Sequence, residues 1–447
     1  MVKVDVLIIG GSAAGLVAAL TAKGEHPSKR VMMIRKESKV MIPCGIPYIF
    51  GSLENSDQNI LPDAGLVNLG VEIIMDEVIS IDTHLQTVKT ARSMDVTYDR
   101  LILATGSLPN KPAWLKGKDL ENVFVIPKNK DYLDHFSSLL SQFEHIIVVG
   151  GGFIGVEVSD ELNKIGKKVT LIEKEPHILG LAFDEEIALD AEQLLISRGV
   201  KVINGVGLQS IQGDKKVEGV ELCDGRMIEA DAVILSMGYV PNNELAKASE
   251  IPLNEKGFIV VDEYMRTPIM NVFAAGDCAE KRDFSTKKIS TTMLASTACA
   301  EARVAAMNLF HLSTIRRFSG TIGIYATNLG DTSYGVAGLT ESVALKEGFD
   351  IICGKFQGID RHPGKLSNAH KQMVKLVVAK ESGRILGGLV IGGLSTGELT
   401  NVIGIAIQTG MTIYDLLTAQ IGTHPRITAS PAAYPLIKAA ESIYHII

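Results

Sequence analysis

Short, fully apolar runs that stop at glycine dominate the hydrophobic pattern of the chain. The first covers residues 4–9, and an Ala/Leu-rich segment follows the next glycines up to Ala22. A second apolar run covers residues 31–34. Runs of this length are typical of strands that are buried on both faces of a parallel sheet. The pattern therefore predicts a strand, a helix and a second parallel strand, with the turn Gly10-Gly11-Ser12-Ala13-Ala14-Gly15 after the first strand.

The same pattern returns near residue 145. Residues 145–149 are apolar, the turn Gly150-Gly151-Gly152-Phe153-Ile154-Gly155 follows, and a helical segment reaches Ile165. Residues 168–172 form the next apolar run, and Glu173 ends it. Strand, G-x-G-x-x-G turn, helix, strand and terminal acid together indicate a dinucleotide-binding unit.

From about residue 319 the pattern changes to longer strand-like segments and amphipathic helices without a glycine turn. Earlier apolar runs predict strands at 98–104, 231–236 and 272–276 and a helix at 291–309. The later part predicts strands at 325–339 and 349–357, a hairpin of 373–379 with 384–391, and helices at 398–408 and 432–443. The predicted fold class is α/β, with two Rossmann-like dinucleotide-binding domains plus a C-terminal α+β dimerisation domain.

The two glycine turns differ in the residue that follows the second strand. In such turns the open amides at the helix N-terminus receive a pyrophosphate, and an acid about 20 residues on binds the ribose hydroxyls. Glu173 fits this role and would repel a 2′-phosphate, so NADH is favoured, although Lys174 leaves NADPH use open. In the first turn Ser12 replaces the middle glycine and Arg35 replaces the acid. Arg35 either packs on the adenine or a phosphate, or indicates a changed cofactor preference.

Composition narrows the classes of function. The chain has 447 residues, enough for several domains, and a net charge of −7, which argues against a nucleic-acid binder. No basic leader with a cleavage pattern is recognised, and the apolar run 402–411 is too short and too glycine-broken to span a membrane. We therefore expect a cytoplasmic protein, with no nucleic acid, metal or membrane as a partner.

Five cysteines lie far apart, and none forms a C-x-x-C pair. This spacing argues against a structural zinc site and a secreted disulfide framework. We interpret four of them as buried small hydrophobic residues: Cys223, Cys278, Cys299 and Cys353.

Cys44 differs because small, stiff and aromatic residues surround it in the segment Met41-Ile42-Pro43-Cys44-Gly45-Ile46-Pro47-Tyr48. Gly45-Ile46-Pro47 can open a helix, since proline is tolerated in a first turn. A thiol near a helix N-terminus has a lowered pKa and is reactive as a thiolate. We therefore interpret Cys44 as a redox thiol and expect its pKa to be lowered.

These features together resemble the flavoprotein pyridine nucleotide-disulfide oxidoreductases, and the resemblance covers essentially the whole chain. It rests on the two glycine turns, Ala104-Thr105-Gly106, Gly276-Asp277 and the C-terminal domain. Cys44-Gly45-Ile46-Pro47-Tyr48 looks like the single-cysteine branch, which includes coenzyme A-disulfide reductases, NAD(P)H persulfide or polysulfide reductases, NADH oxidases and NADH peroxidases. The dithiol branch would need a second cysteine at position 49, where this chain has Ile49.

The resemblance implies FAD on residues 1–112 and 245–318, NAD(P)H on residues 113–244, and a dimerisation domain at 319–447. It also implies a homodimer whose active sites lie at the subunit interface. The residues expected at FAD are Gly10, Ser12, Ala13, Ala14, Gly15, Arg35, Lys36, Cys44, Val78, Ala104, Thr105, Gly106, Gly276, Asp277 and Ala295. The residues expected at NAD(P)H are Gly150, Gly152, Phe153, Ile154, Gly155, Glu173, Lys174 and Gly238.

The expected reaction is the reduction of a small sulfur substrate by NADH through FAD and Cys44. The substrate would be coenzyme A disulfide, a persulfide or a polysulfide, which Cys44 attacks to form a mixed disulfide or a Cys-persulfide. The partner subunit's His424 could supply a proton. Arg361 or Lys365 could bind an anionic thiol such as coenzyme A.

Two other readings stay open. In an NADH oxidase or peroxidase, Cys44 would cycle through a sulfenic acid. A flavoprotein that passes electrons to a protein partner would need no thiol at the flavin, so Cys44 argues against that class. The segment Gly422-Thr423-His424-Pro425-Arg426 departs from the tyrosine-containing run usual in coenzyme A-disulfide reductases, so the coenzyme A tyrosines of that branch are not assigned here.

Overall fold

In the computed structural model, which describes residues 2–446, every segment predicted as a strand contains one or two strands. Up to residue 125 the elements are β1 (Val2–Ile9), α1 (Ala13–Glu25), β2 (Val31–Arg35), α2 (Ala64–Asn68), β3 (Glu72–Met75), β4 (Val78–Asp82), β5 (Thr87–Thr90), β6 (Asp95–Leu103), β7 (Ser107–Pro109) and β8 (Val123–Val125). The middle part contains α3 (Lys130–Leu139), β9 (His145–Val149), α4 (Phe153–Lys164), β10 (Lys168–Ile172), α5 (Glu185–Ser197), β11 (Lys201–Ile203), β12 (Leu208–Gln212), β13 (Gly219–Leu222), β14 (Met227–Glu229), β15 (Ala232–Leu235), β16 (Tyr239–Pro241) and α6 (Glu244–Ala248).

The remaining elements follow residue 270. They are β17 (Val272–Ala274), β18 (Lys281–Arg282), β19 (Ile289–Ser290), α7 (Ala295–Met307), β20 (Ile324–Leu329), β21 (Thr332–Gly338), α8 (Glu341–Lys346), β22 (Ile351–Ile359), β23 (Lys371–Ala379), β24 (Ile385–Gly392), α9 (Thr396–Thr409), α10 (Ile413–Leu417) and α11 (Pro435–Tyr444). Single 3-10 turns lie at Pro43–Gly45, Pro47–Phe50, Ser56–Asn59, Leu140–Gln142 and Pro431–Ala433.

The first sheet has a parallel part in the order β3-β2-β1-β6-β17, and β5 and β4 extend it antiparallel beyond the start of β6. Its central strands are buried, and α1 packs on α7 over one face with alanines such as Ala18 and Ala22. Because β17 comes from much later in the chain, two separate stretches of the sequence build the first sheet. The carboxyl ends of β1, β6 and β17 meet at one edge, where ligands of open α/β sheets bind.

The second sheet is fully parallel in the order β11-β10-β9-β15-β8, and the antiparallel sheet β12-β13-β14 accompanies it. The chain enters this unit through β7 and leaves it through β16. These two strands pair antiparallel, with Val240 opposite Leu108. Two connections that lie side by side therefore join the two parallel sheets.

The C-terminal part is an antiparallel sheet in the order β20-β21-β24-β23-β22, with α9 and α11 packed on it. The hairpin β23–β24 is confirmed. The segment predicted as one strand at 325–339 is two strands, because Gly330 turns the chain at φ +58°. The last helix begins at Pro435 and not at residue 432, since a residue before proline avoids the helical conformation and Tyr434 is extended.

The fold class is confirmed: two Rossmann-type units and a C-terminal α+β unit. Among residues 2–446, the structure has no helix with the length and apolar character needed to cross a membrane.

Candidate active site

The first glycine turn is built by close backbone approaches. Gly10 has φ +110°, and a Cβ on it would lie 2.1 Å from the carbonyl oxygen of Ala104. A Cβ on Gly15 would lie 1.9 Å from the carbonyl oxygen of Gly10, so only glycine allows α1 to start this close to the strand. Ser12, the N-cap of α1, makes no side-chain capping hydrogen bond. The first amides of α1, including those of Ala13 and Ala14, are therefore left for a ligand.

The second turn repeats this arrangement. Gly150 has φ +106°, and a Cβ on it would lie 2.3 Å from the carbonyl oxygen of Ser236. A Cβ on Gly155 would lie 1.8 Å from the carbonyl oxygen of Gly150. Gly152 is the extended N-cap of α4, and no protein atom lies within 4 Å of the place of its Cβ. The space beside Gly152 is thus open to a nucleotide.

Glu173 holds the second turn at the end of β10. Its Oε2 accepts a hydrogen bond from the amide of Gly151, and its Oε1 accepts one of 2.8 Å from the amide of Glu175. A cavity of about 200 Å³ opens here between Gly152, Glu173 and Phe153. The exposed neighbour Lys174 forms an ion pair with Glu175.

Phe153 and Tyr325 close one end of this cavity. Their rings are stacked, with centroids 5.1 Å apart and planes 10° from parallel. Tyr325 lies on β20, so the C-terminal unit contributes to the nucleotide cavity of the same chain. Ile154 is half-buried behind Phe153, against the core of the second sheet. Sequence reasoning missed Tyr325, because nothing in the pattern of β20 marks it as a ligand neighbour.

Arg35 occupies, in the first turn, the position that Glu173 has in the second. It is 3% exposed, and its guanidinium donates two hydrogen bonds of 2.6 Å to the carboxylate of Asp63. It also donates to the carbonyl oxygens of Glu37 and Ser38. Its aliphatic stem covers Gly11, where a Cβ would lie 2.3 Å from the Arg35 Cδ. The charge of Arg35 is thus neutralised by Asp63, a residue that sequence reasoning did not connect with it.

Other residues predicted at the first turn lie around the same edge. Lys36 forms an ion pair with Glu77, and Val78 begins β4 in the buried core. Thr105 donates a hydrogen bond of 2.7 Å from its hydroxyl to the carbonyl oxygen of Asn242. Gly106 and Gly238, at the ends of the paired β7 and β16, have φ values of +71° and +81°.

Asp277 follows β17 and is 9% exposed. Its Oδ2 accepts hydrogen bonds of 2.7 Å from both Lys128 Nζ and Ser107 Oγ. Burial alone would raise the pKa of Asp277, but the Lys128 charge and these hydrogen bonds hold it below its ordinary value. Lys128 belongs to the second unit, so this ion pair crosses between the two parallel sheets. Sequence reasoning missed both Lys128 and Ser107.

The buried ion pair of Lys281 and Glu301 holds the backbone of Gly276. Glu301 Oε2 accepts a hydrogen bond of 2.8 Å from the Gly276 amide, and Lys281 Nζ donates one of 3.1 Å to the Gly276 carbonyl oxygen. Lys281 and Glu301 lie 3.8 Å apart with exposures of 1% or less for their side chains. Ala295 begins α7, the helix that carries Glu301. The Gly276-Asp277 turn is therefore fixed on both sides.

Cys44 does not lie at the start of an α-helix, so that prediction is wrong. It stands inside the 3-10 turn Pro43–Gly45, and a second 3-10 turn, Pro47–Phe50, follows. Two prolines in five residues remove amide donors and keep the turns short. Buried Asn59 fixes the segment: its Nδ2 donates to the carbonyl oxygen of Ile42, and its Oδ1 would be 2.0 Å from a Cβ on Gly45.

The expected lowering of the Cys44 pKa is also contradicted. The thiol is accessible, but protein atoms surround most of it, and this desolvation raises its pKa. The negative charge of Glu157 raises it further, and Lys128 opposes both effects. Asp277 also acts on the thiol. The structure thus brings Cys44 to the edge that holds Asp277 and Lys128.

Glu157 is a further residue that the sequence reasoning missed. It lies on α4, shortly after Gly155, and accepts a hydrogen bond of 2.8 Å from the hydroxyl of Thr327 on β20. Burial raises the pKa of Glu157 to about 7. Its charge acts on both Cys44 and Tyr48, whose pKa values are raised. The one sequence signal that could have pointed to Glu157 is that an acid lies between two valines on the helix after the second glycine turn.

His424 and the basic loop at residues 360–365 lie close to each other in the C-terminal unit. His424 is exposed, its amide donates to the Thr428 hydroxyl, and its Nδ1 accepts from the Arg426 amide at 3.3 Å. The amide of His362 donates to the Pro425 carbonyl oxygen, which joins the two segments. Arg361 is half-buried and forms an ion pair with Asp360, whereas Lys365 is exposed.

The remaining cysteines are free thiols. Cys278 is fully buried, and Cys299 and Cys353 are partly buried. Cys223 is exposed at the turn after β13, so the prediction that it is buried is wrong. Its strand lies in the small antiparallel sheet, which has one face open to solvent.

The residues at the first edge fit FAD. The Gly10 turn leaves amides free for a pyrophosphate, Gly106 and Gly276 keep side chains out of the cleft, and Asp277 offers a carboxylate to a hydroxyl group. The second turn, with Glu173 at its end, fits the NADH half of the site in the same way.

Comparison with known proteins agrees with this arrangement. Residues 4–302 match the family described as pyridine nucleotide-disulphide oxidoreductase, and residues 326–433 match the dimerisation domain of that family. An NADH oxidase of Methanocaldococcus jannaschii is 29% identical over 452 residues, which cover 97% of this chain and 97% of that protein. An NAD(P)H coenzyme A polysulfide/persulfide reductase of Pyrococcus horikoshii is 30% identical over 450 residues, with 98% of each covered.

A solved structure of an NAD-dependent persulfide reductase from A. fulgidus has a TM-score of 0.90 and 28% identity, and the match covers 99% of this chain and 83% of that one. The family matches span both parallel-sheet units and the C-terminal unit. The chain therefore belongs to the pyridine nucleotide-disulphide oxidoreductase family and is an oxidoreductase that depends on FAD and NAD(P)H.

Proposed function

We propose that the protein uses NADH to reduce a small sulfur substrate, such as a persulfide, a polysulfide or coenzyme A disulfide, through Cys44 alone. The observation that supports this most is the accessible thiol of Cys44 at the edge that carries Asp277. No second cysteine follows within the segment, since position 49 is a buried isoleucine. The named persulfide reductase relatives agree with this substrate class.

In the proposed reaction Cys44, as a thiolate, attacks one sulfur of an S–S bond. That bond breaks, a mixed disulfide or persulfide forms on Cys44, and the leaving sulfur departs with a proton. FAD, held by the Gly10 turn and Asp277, would supply the transfer of two electrons from NADH to the sulfur on Cys44. Breaking this second S–S bond restores the Cys44 thiolate and releases the reduced product. The balance is NADH, one proton and one S–S bond in, and NAD⁺ and two S–H groups out.

The cofactor contacts, domain limits and assembly are part of the proposal. FAD would lie on residues 1–112 and 245–318, and NADH on residues 113–244, with the contacts predicted above. Glu173 would bind the ribose hydroxyls, which favours NADH. Residues 319–447 would form a homodimer with an interfacial active site, where the partner subunit's His424 supplies a proton. Arg361 and Lys365 would hold an anionic thiol, and the free state of the five cysteines agrees with a cytoplasmic location.

An NADH oxidase or peroxidase is the second candidate, because several full-length relatives carry that name. Here peroxide would oxidise the Cys44 thiolate to a sulfenic acid, and NADH would return it to the thiolate and water. Chemistry at Cys44 is common to both candidates, so the acceptor decides between them.

The test is an anaerobic NADH titration followed by turnover with coenzyme A disulfide, coenzyme A persulfide, polysulfide, peroxide and oxygen. We expect the largest kcat/KM with a sulfur acceptor, and Cys44→Ser should abolish that turnover while NADH still reduces the flavin. Cys223→Ser is the matched control, because it removes another accessible thiol. Full sulfur turnover by Cys44→Ser would contradict the relay, and a larger kcat/KM with peroxide or oxygen would favour the second candidate.

A further inference from the structure

A second cavity lies at the amino end of β17, the opposite end of that strand from Asp277. Its volume is about 430 Å³, roughly twice that of the nucleotide cavity beside Gly152. The loop at residues 262–271, which leads into β17, and the segment at residues 308–312, which follows α7, form most of its wall. Small-molecule sites have volumes of about 300–1,000 Å³. Neither the proposed reaction nor the proposed cofactor contacts use this cavity.

Arg100, which lies on β6, is held in place by the wall of the cavity. Its Nε donates a hydrogen bond of 2.6 Å to the carbonyl oxygen of Leu309, and its Nη1 donates one of 2.8 Å to the carbonyl oxygen of Asp99. The guanidinium also lies over the ring of Phe310, with its Cζ 5.0 Å from the ring centroid. These three contacts fix the orientation of the guanidinium, and none of them neutralises its charge.

The lining of the cavity carries an excess of positive charge. Within residues 2–446, Arg100 forms no ion pair. The second guanidinium, that of Arg266, is paired with Asp262, and its Nε donates to this carboxylate at 2.7 Å. One carboxylate thus stands against two guanidinium groups. An oriented guanidinium without a partner favours a carboxylate or a phosphate, because its N–H donors lie in one plane and match the oxygens of these groups.

Asn271 brings a second unpaired polar group to the cavity. It is the residue directly before β17, and its φ is +68°. Its carbonyl oxygen accepts a hydrogen bond of 2.9 Å from the amide of Leu101. Its side-chain amide lines the cavity and has no hydrogen-bond partner in the part of the chain that the structure describes. The N–H donors of Arg100 and Asn271 are therefore both left for an occupant of the cavity.

The mouth of the cavity is apolar. Met270 is 81% exposed and Leu312 is 51% exposed, and both line the opening. Ile269 and Phe310 extend this surface inward, where they pack against the core of the first unit. Large apolar side chains that gather on a surface mark a place of binding. A fixed cation beside apolar surface suits an anion with an apolar body better than it suits a bare ion.

We propose that this cavity is a second ligand site, which binds a small organic anion with its carboxylate or phosphate on Arg100 and Asn271 and its apolar body against Met270 and Leu312. The site binds its ligand without reacting with it. Cys44 is not among the lining residues. β17 has three residues and spans about 10 Å, so an occupant lies one short strand away from Asp277. The inference goes beyond the proposed function and does not depend on it.

Isothermal titration calorimetry of the flavin-loaded protein tests the site, with NAD⁺ present so that the second glycine turn is occupied. The probes are benzoate and phenyl phosphate. Benzamide is the neutral counterpart, and inorganic phosphate is the anion without an apolar body. We expect one of the two organic anions to bind about tenfold or more tightly than benzamide and inorganic phosphate, the effect of hydrogen bonds to a charged group. Tighter binding of benzoate would identify a carboxylate ligand, and tighter binding of phenyl phosphate a phosphate ligand.

Two variants remove the polar half of the site. Arg100→Met keeps the aliphatic stem and should abolish the preference for the organic anion over benzamide. Asn271→Gly removes only the side-chain amide, because glycine adopts a positive φ without strain. The affinity of Asn271→Gly for the organic anion should fall by about threefold to tenfold, the effect of one hydrogen bond. Flavin absorbance and thermal unfolding report whether each variant is folded.

Met270→Glu tests the apolar mouth by adding a negative charge to an exposed side chain. It should weaken binding of the organic anion by about twofold to fivefold, as expected for one charge near the surface. Met227→Glu is the matched control, because Met227 is also exposed, at 61%, and does not line the cavity. Its affinity for the anion should equal that of the wild type.

Four outcomes would overturn the second ligand site. They are no binding of either organic anion, equal binding of benzamide or inorganic phosphate, an affinity that both Arg100→Met and Asn271→Gly leave unchanged, and equal losses in Met270→Glu and Met227→Glu. Cys44→Ser should bind the anion as the wild type does. The second site and the proposed function can therefore fail separately.

Discussion

The turn at Gly10 and the turn at Gly150 use the same backbone contacts but end in opposite charges. In each, the first glycine approaches the carbonyl oxygen after a central strand, and the last glycine approaches the first. Arg35, the last residue of β2, and Glu173, the residue after β10, then lie against the middle of their turns. The two turns therefore share their backbone shape and differ in the side chain at the end of the second strand, Arg35 or Glu173.

The difference separates a structural position from a recognition position. The guanidinium of Arg35 is engaged by Asp63 and two carbonyl oxygens, so it acts as part of the protein framework. Glu173 accepts hydrogen bonds from two amides and still borders the open cavity beside Gly152. This difference agrees with the proposal that the first turn holds FAD, which stays bound, and the second holds NADH, which exchanges at every turnover.

The largest effects are expected from variants that add a methyl group to the first glycine of each turn. Gly10→Ala and Gly150→Ala each force a Cβ to within 2.3 Å of a backbone carbonyl oxygen and strain a positive φ. We expect Gly10→Ala to be purified without FAD. Gly150→Ala should keep FAD, whereas its kcat/KM for NADH should fall by about 10²-fold or more, since displacement by about 1 Å has that effect.

Flavin absorbance and NADH kinetics measure the two effects. Gly166→Ala is a matched control, because that glycine also has a positive φ but no atom lies within 4 Å of its Cβ position. If Gly10→Ala kept its flavin, the first turn would not be the FAD cradle.

Glu173→Ala tests the recognition side of the comparison. It removes the acid that is expected to bind the ribose and repel a 2′-phosphate, while Lys174 remains. The ratio of kcat/KM for NADH over NADPH should fall by about tenfold or more, which corresponds to ~1.5–3 kcal/mol for a hydrogen bond to a charged group. Glu175→Gln, which borders the same cavity, should leave the ratio nearly unchanged. An unaltered ratio in Glu173→Ala would remove the basis for the NADH preference.

Asp63→Asn tests the structural side. The Arg35 side chain is 2% exposed, so the loss of the Asp63 charge leaves a buried guanidinium short of its partner. We expect a loss of about 1–3 kcal/mol in the free energy of unfolding, with the KM for NADH unchanged. Thermal and urea unfolding of the flavin-loaded protein measure it. Weaker FAD binding without a loss of stability would mean that Arg35 acts on recognition after all.

Lys128→Met gives the smallest expected effect. It removes the ion pair between Lys128 and Asp277, which joins the two parallel-sheet units. Lys128 lowers the pKa of both Asp277 and Cys44, so its removal should leave less Cys44 thiolate at pH 7. Alkylation of Cys44 should slow by about twofold to fivefold, the effect of one partly screened charge. The lowered pKa of Asp277 stabilises the fold at pH values above the unfolded pKa, and this contribution is lost as the pH falls through the folded pKa. The variant should therefore lose stability at pH 7, and the difference from the wild type should shrink as the pH falls through that folded pKa. Lys130→Met, which removes a cation paired with Asp134, is the control.

Much of the fold follows from local patterns, because each strand, glycine turn and helix of the two nucleotide units lies within a short stretch of sequence. The same holds for Glu173, which directly follows β10. Contacts between distant stretches were not predictable: Arg35 with Asp63, Lys128 with Asp277, and Glu157 with Thr327. None of these pairs has a fixed spacing that a sequence pattern would show.

The expectation for Cys44 failed for a related reason. The segment after it has the proline of a helix start, but a second proline and the Asn59 contact keep it as two short 3-10 turns. The charge that acts most on the thiol comes from α4, more than a hundred positions away in the sequence. Local sequence predicts that Cys44 is the redox residue, and only the tertiary structure shows the electrostatic surroundings of its thiol.

The pairing of β7 with β16 has a consequence for how such a protein can be rebuilt. The amide of Asn110 donates to the carbonyl oxygen of Gly238, and the amide of Asn242 donates to that of Gly106, both at 2.9 Å. The second parallel sheet is thus carried by an insertion, residues 110–238, whose two ends are hydrogen-bonded neighbours. A tight turn in place of residues 110–238 would close the flavin unit on itself, and a nucleotide unit from another protein could be grafted at the same two points. Under the proposed cofactor assignment, exchanging residues 110–238 would change the preference for NADH or NADPH and leave the first sheet intact.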